Sequence, residues 1–260
     1  GPSKSKKYLQ SLIDHDINAV VLESISQLKW LNELCQANNI KMDALIRVQL
    51  SWDEGSSVLG GNDITAFGMD KQAWEKVKLK DFEHVNIKGF HVFQWGNILD
   101  ISELEKIWDK TCIEIKELAF KMNASLEVID LGGGLGIPYQ NQNKSIDFKD
   151  INAILTTLKN KHGLSKIWME LGRYAVGSCG YYLSQVIDRK TVRGREILVL
   201  DGGSNHIARP ALTSQSFPCD VLRENPSSTT KEFHVHGPLC TAMDKLGVFQ
   251  LPDDVDYGDW

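Results

Sequence analysis

The sequence predicts an α/β fold of the (β/α)8 TIM-type barrel kind, followed by a mainly β domain. Three observations carry this. Short β-branched runs alternate with longer amphipathic stretches up to about residue 180, and such alternation makes a parallel sheet with helices on its faces. A histidine, a glycine-rich loop and an acidic residue fall at the carboxyl ends of successive strands, where βα loops build active sites in barrels. From about Gly180 helical periodicity gives way to short strands and turn-rich segments.

Taken in order, Ala19-Val20-Val21-Leu22 reads as a buried strand, and a helix follows with apolar residues at Ile25, Leu28, Leu31 and Leu34 or Cys35. Ala44–Leu50 and Val85–Phe93 are the next strands. A helix then carries Leu104, Ile107, Trp108, Ile115 and Leu118, with Asp100 as its N-cap and Glu103 three residues on. Leu126–Asp130, a helix near Ile151–Leu158 and the strand Lys166–Met169 complete this part. Residues 1–180 are thus expected to form a partial barrel and 181–260 a β domain. The latter has strands at Tyr181–Ile187, Ile197–Asp201 and Glu232–His236, a loop over Thr213–Lys231, and a strand start at Tyr257–Trp260. Only about five parallel strands are visible where barrel closure takes eight. The expectation is therefore an internal portion of a longer polypeptide, with roughly three barrel strands before Gly1 and further β sequence after Trp260.

Apolar residues make up 42% and charged residues 24% of the chain, ordinary values for a globular protein. A net charge of -5 without a Lys/Arg-rich block argues against a nucleic-acid partner. No apolar run is long enough to cross a bilayer, and no apolar signal region follows Gly1-Pro2-Ser3-Lys4-Ser5-Lys6-Lys7. The five cysteines (35, 112, 179, 219 and 240) are scattered, without Cys-x-x-Cys pairs, and the seven histidines show no metal spacing. Reduced thiols in a cytoplasmic protein without a metal fit this pattern.

The most informative stretch is Gly132-Gly133-Gly134-Leu135-Gly136-Ile137-Pro138-Tyr139, directly after Leu126–Asp130. Consecutive glycines at a strand end let backbone N–H groups approach an anion closely. A dinucleotide fingerprint would need glycine where Ile137 stands, and no Gly-Lys-Ser/Thr follows for a nucleoside-triphosphate loop. Four other segments accompany it: Gly89-Phe90-His91-Val92-Phe93, Glu170-Leu171-Gly172-Arg173-Tyr174, Gly203-Ser204-Asn205-His206 leading to Arg209-Pro210-Ala211-Leu212, and His236-Gly237-Pro238-Leu239-Cys240-Thr241 with Ala242-Met243-Asp244.

In order and spacing these segments resemble the fold-type III pyridoxal-phosphate decarboxylases, the family of diaminopimelate, ornithine and arginine decarboxylases, over nearly the whole chain. The resemblance implies pyridoxal 5'-phosphate as cofactor. Its phosphate would be held by Gly132, Gly133 and Gly134, with Gly136 supporting the turn, and by the segment Glu170, Leu171, Gly172 and Arg173, where Leu171 replaces the family's proline. A phosphate monoester carries close to two negative charges and favours N–H donors and a guanidinium. Glu170 would keep the pyridine nitrogen protonated, His91 would stack on the ring, and Cys240 would return a proton from the second subunit of a homodimer with shared sites. Arg209 would bind a substrate carboxylate, with Thr241 and Asp244 completing the substrate-binding set.

Two departures qualify the resemblance. The family's cofactor-bonding lysine belongs to a Tyr-x-x-Lys-like segment that this chain lacks, and Lys4, Lys6 and Lys7 do not take its role. Thr241 stands where the ornithine and diaminopimelate branches have an acidic residue to grip a distal ammonium. Gly-Pro-Leu-Cys-Thr and Gly-Gly-x-Asn-His resemble the biosynthetic sub-branch that includes a decarboxylase of glutamate tethered to an acyl carrier protein. The expected function is decarboxylation of a small amino acid. A carrier-bound amino-acid substrate, a racemase-like enzyme and a non-catalytic regulatory homologue are the alternatives.

Overall fold

The computed structural model describes residues 1–52, 61–139 and 145–260. They divide into two compact units, one of residues 1–137 with 145–177, the other of Ser178–Trp260 with Pro138 and Tyr139.

The first unit runs α1 (Lys6–Asp14), β1 (Ala19–Leu22), α2 (Ile25–Ala37), β2 (Met42–Gln49), β3 (Met69–Asp70), α3 (Lys71–Trp74), a 3-10 turn at Leu79–Asp81, β4 (Val85–His91), α4 (Ile101–Met122), β5 (Val128–Asp130), α5 (Phe148–His162), β6 (Lys166–Trp168) and α6 (Gly172–Val176). Short polar side chains start the helices. Ser24 accepts the Gln27 N–H, Asp100 those of Ser102 and Glu103, and Asp147 that of Lys149. Left-handed residues end two of them, Asn123 (φ 50°) and Gly163 (φ 64°). The strands pair in parallel in the order β1-β2-β4-β5-β6, with β3 beside β2. Chain order along the sheet is what a singly wound barrel requires. The helices cover one sheet face and bury Leu22, Ile46, Phe90 and Ile129 against Leu31, Trp108, Ile115 and Leu158.

In the second unit β7 (Val186–Val192), β8 (Arg195–Leu200), α7 (Arg209–Thr213), β9 (Thr230–His236) and β10 (Lys245–Pro252) follow one another. The four strands form a sheet of order β10-β9-β8-β7 over a core of Val186, Leu198, Phe233, Val235, Leu246 and Leu251.

Two sequence expectations are corrected here. The strand expected at Tyr181–Ile187 instead spans Val186–Val192: its partner β8 ends at Leu200, opposite Val186, and Arg193 (φ 51°) and Gly194 (φ 74°) close the two-residue hairpin that pairs Val192 with Arg195. Tyr181–Gln185 lies before it and is pinned by side chains, with Ser184 Oγ and the Gln185 N–H both on Asp201 Oδ1. Tyr257–Trp260 is not a strand; the strand near this end is β10, whose Gly247 and Pro252 had hidden it. Among the described residues no helix is long and apolar enough to cross a membrane.

Candidate active site

Register places the site. Leu22, Ile46, Phe90, Ile129 and Ile167 are paired across the five strands and face the helices. One residue further along each strand points to the opposite face. There Arg47, His91, Asp130 and Trp168 are paired in turn, and Glu23 follows Leu22 into the same row. Four ionisable groups, all buried, thus stand side by side near the strand ends.

The row is tied together electrostatically. Arg47 Nη1 lies 3.1 Å from Glu23 Oε1, and the guanidinium rests 4.4 Å from the centre of the Phe67 ring. Glu23 Oε2 accepts the Gly68 N–H at 2.7 Å, and Lys4 Nζ approaches Glu23 Oε1 at 3.7 Å. Burial, then Arg47 and Lys4, push the His91 imidazole down to about 3, so it is neutral at ordinary pH. Both of its ring nitrogens are buried without a hydrogen-bond partner among the described residues. Burial pushes the Asp130 carboxyl up to about 6, helped by Glu170 and opposed by the Gly132 N–H and by Arg47. Glu170, two residues beyond Trp168, is 51% exposed and holds Oε2 3.8 Å from His91 Nε2.

Beside this row lies the glycine loop. The Gly132 N–H donates to Asp130 Oδ1 at 2.9 Å, and the Gly132 carbonyl accepts the Glu170 N–H at 2.6 Å. At the far end the Gly136 N–H donates to the Ile98 carbonyl at 2.7 Å and the Ile137 N–H to Asn97 Oδ1 at 3.1 Å. Between these anchors the N–H groups of Gly133, Gly134 and Leu135 make no hydrogen bond among the described residues. Gly132 has φ +65° with the Phe93 side chain 2.5 Å from where a Cβ would stand; a Cβ on Gly133 would lie 2.3 Å from the Glu170 carbonyl oxygen. No side chain fits either position, so the loop remains a bare N–H cradle.

Gly172 and Arg173 begin α6 two residues after Glu170, and the intervening Leu171 packs on the hydrophobic core while its carbonyl accepts the Ala175 N–H. His91, Asp130 and Glu170 each offer a ligand atom within 4.8 Å of the others, a donor set able to hold a cation. Three unpaired N–H donors next to a carboxylate suit a different guest better: a flat cationic ring bearing a phosphate. The residues present therefore fit the cofactor that the sequence motifs imply.

In the second unit Cys240 and Thr241 are exposed on the connection between β9 and β10. Arg209 stacks near Tyr139 and Phe217 (5.7 and 5.9 Å) and donates to Gln215 Oε1 at 2.6 Å. Asp244, expected from the resemblance among the substrate-binding residues, is held by backbone N–H groups. It is 1% exposed, and its oxygens accept the N–H groups of Ser204 at 2.7 Å and Leu239 at 2.8 Å. Gly203 and Gly237 leave room for it, since a Cβ on either would meet its carboxylate. Asp244 thereby ties the loop at Ser204 to the turn at Leu239. Glu23, Arg47, Asp130 and Asn97 escaped the sequence reading. The available signal was a charged residue interrupting or ending an apolar strand, as in Leu45-Ile46-Arg47-Val48.

A family model described as pyridoxal-dependent decarboxylase, pyridoxal binding domain, matches residues 1–177. The L-glutamyl-[BtrI acyl-carrier protein] decarboxylase of Niallia circulans is 24% identical over 95% of this chain and 61% of its own length. The diaminopimelate decarboxylase of Bacillus methanolicus is 25% identical over 97% of this chain and 61% of its own length. The chain thus spans about three-fifths of these curated relatives. Among solved structures, diaminopimelate decarboxylase from Helicobacter pylori complexed with L-lysine superposes with a TM-score of 0.82 at 22% identity, over 98% of this chain and 64% of that one. That likeness extends to the fold of both units. With the family model covering the whole strand-and-loop framework of the site, this chain belongs to the fold-type III pyridoxal-dependent decarboxylase family.

Proposed function

We propose that the polypeptide carrying this chain catalyses pyridoxal-phosphate-dependent decarboxylation of an amino acid. The observation that carries this is the cradle of three unpaired N–H groups at Gly133, Gly134 and Leu135, set beside Glu170 and the neutral His91. The cradle and Arg173 would hold the phosphate by charge-assisted hydrogen bonds. Glu170 would hold the pyridine nitrogen protonated, and His91 would lie against the ring. When bound, the cofactor supplies an electron sink for the electron pair left as carbon dioxide departs. Cys240 of the second subunit of a homodimer would be the proton donor to the carbon that loses carbon dioxide.

Arg209 is proposed to bind a substrate carboxylate. Thr241 offers a hydroxyl but no negative charge, which disfavours substrates with a distal ammonium. A glutamate presented on a carrier protein fits this better, and the similarity to the Niallia circulans decarboxylase supports that choice. The cytoplasm is the proposed compartment, in keeping with cysteines scattered along the sequence without Cys-x-x-Cys pairs.

The test is carbon dioxide release by the full polypeptide with cofactor, offered glutamate on a carrier protein, diaminopimelate and ornithine. Glu170→Gln should retain the cofactor yet slow release about a hundredfold or more, because an amide cannot stabilise the ring's positive charge. Turnover within about threefold of wild type, well under the ~1.4 kcal/mol of a tenfold change, would remove Glu170 from the mechanism.

A further inference from the structure

We propose that Asp130 is a positioning residue that shapes the phosphate cradle, a role that rests on the cofactor reading above. Asp130 is one of two buried carboxylates in the row, with Glu23, and the one that touches the glycine loop. It is 4% exposed and stands between His91 on β4 and Trp168 on β6, with Arg47 and Glu170 as the other charged groups around it. Its Oδ1 is engaged at 2.9 Å by the N–H of Gly132, two residues ahead.

This bond removes Gly132 from the donors available to a ligand and fixes the first residue of the loop, whose left-handed backbone is already confined by Phe93. The loop's other end is fixed by Asn97, which accepts the Ile137 N–H, and by the exchange of hydrogen bonds between Ile98 and residues Gly134 and Gly136. Three donors remain between two anchored ends. Donors held in place before the ligand arrives bind it without an ordering penalty. Asp130 never touches the ligand; it acts through Gly132.

The chemistry of the anchor is that of an acceptor, not of a charge. An asparagine in the same place offers the same Oδ1, whereas alanine offers nothing.

The test uses the full polypeptide freed of cofactor and titrated separately with pyridoxal phosphate and with pyridoxal. The dissociation constant of pyridoxal divided by that of its phosphate isolates the contribution of the phosphate. Asp130→Ala should lower that ratio about tenfold while leaving pyridoxal binding within about threefold, and Asp130→Asn should restore it. Asn97→Ala, which loosens the opposite anchor, should lower the same ratio and replaces the alanine variant should that one fail to fold. An unchanged ratio in Asp130→Ala or Asn97→Ala overturns the proposal, as does an Asp130→Asn variant as weak as alanine. If the wild-type polypeptide binds pyridoxal as tightly as its phosphate, the phosphate reading itself falls, and the positioning role with it.

Discussion

His91 and Asp130 are neighbours with opposite titration behaviour, and the sign of each can be worked out. The folded state holds His91 near 3 against an ordinary 6.5, so the unfolded chain takes up its proton first. Stability from this residue is complete above about pH 6.5 and is lost as the pH falls toward 3. Asp130 is held near 6 against an ordinary 3.8, so its contribution is complete below pH 3.8 and is lost as the pH rises through 6. Between about pH 4 and 6 the two oppose each other. In urea unfolding across this range, His91→Asn should flatten the acid-side loss by up to ~1.4 kcal/mol per pH unit, and Asp130→Asn should steepen it. Equal slopes in both variants would contradict the burial that causes the shifts. The glycines offer a second check at this scale. Gly133→Ala drives a Cβ toward the Glu170 backbone and should lower the melting temperature by several degrees, about 1–3 kcal/mol of strain. Gly172→Ala meets nothing within 4 Å and should melt within about 2 °C of wild type.

At the scale of elements, α4 tests how far local sequence sets local structure. Its N-cap Asp100 accepts two N–H groups, and Asp100→Ala should cost about 1 kcal/mol in a denaturant titration. An unchanged midpoint would mean that packing of Trp108 and Ile115 alone defines where the helix begins. Asp100, the apolar spacing of α2 and α4, and the strands at Ala19–Leu22 and near Val128 were readable because each is specified within a few residues. The two-residue β3 and four-residue α3 are too short to leave a period. The hairpin of β7 and β8 hung on the conformation of Arg193 and Gly194, which hydrophobic patterning does not encode. The site divides in the same way. His91, the glycine loop and Glu170-Leu171-Gly172-Arg173 announce themselves as local motifs. Glu23 and Arg47 become functional neighbours only through strand register, and that register includes an irregularity where Ala44 pairs with Ile87 but Leu45 pairs with Gly89. Asp244 carried a local motif signal, but its burial among Gly203, Gly237 and two backbone N–H groups depends on long-range packing.

For the whole molecule, the proposed homodimer with shared sites has a quantitative signature. Cys240→Ala and Glu170→Gln each inactivate every site of their own dimers. In a mixed dimer whose sites are completed across the interface, one site receives both lesions and the other neither. Co-expression of the two full-length variants should then restore about a quarter of wild-type activity for random pairing. No return of activity despite demonstrated subunit exchange would place Cys240 within its own subunit or outside the reaction.

The row of Glu23, Arg47, His91 and Asp130 has a consequence for how the chain assembles. Side chains alternate along a strand, so pairing that slips by one residue carries every inward group to the other face. A slipped β2 would thrust Arg47 into the oily layer now filled by Ile46, away from Glu23; a slipped β5 would do the same to Asp130 where Ile129 belongs. An uncompensated charge in that layer is far more unfavourable than a misplaced methyl group. Misaligned sheets are therefore heavily penalised as soon as the helices dock. The residues that prepare the site for chemistry also proofread the alignment of the strands that carry them.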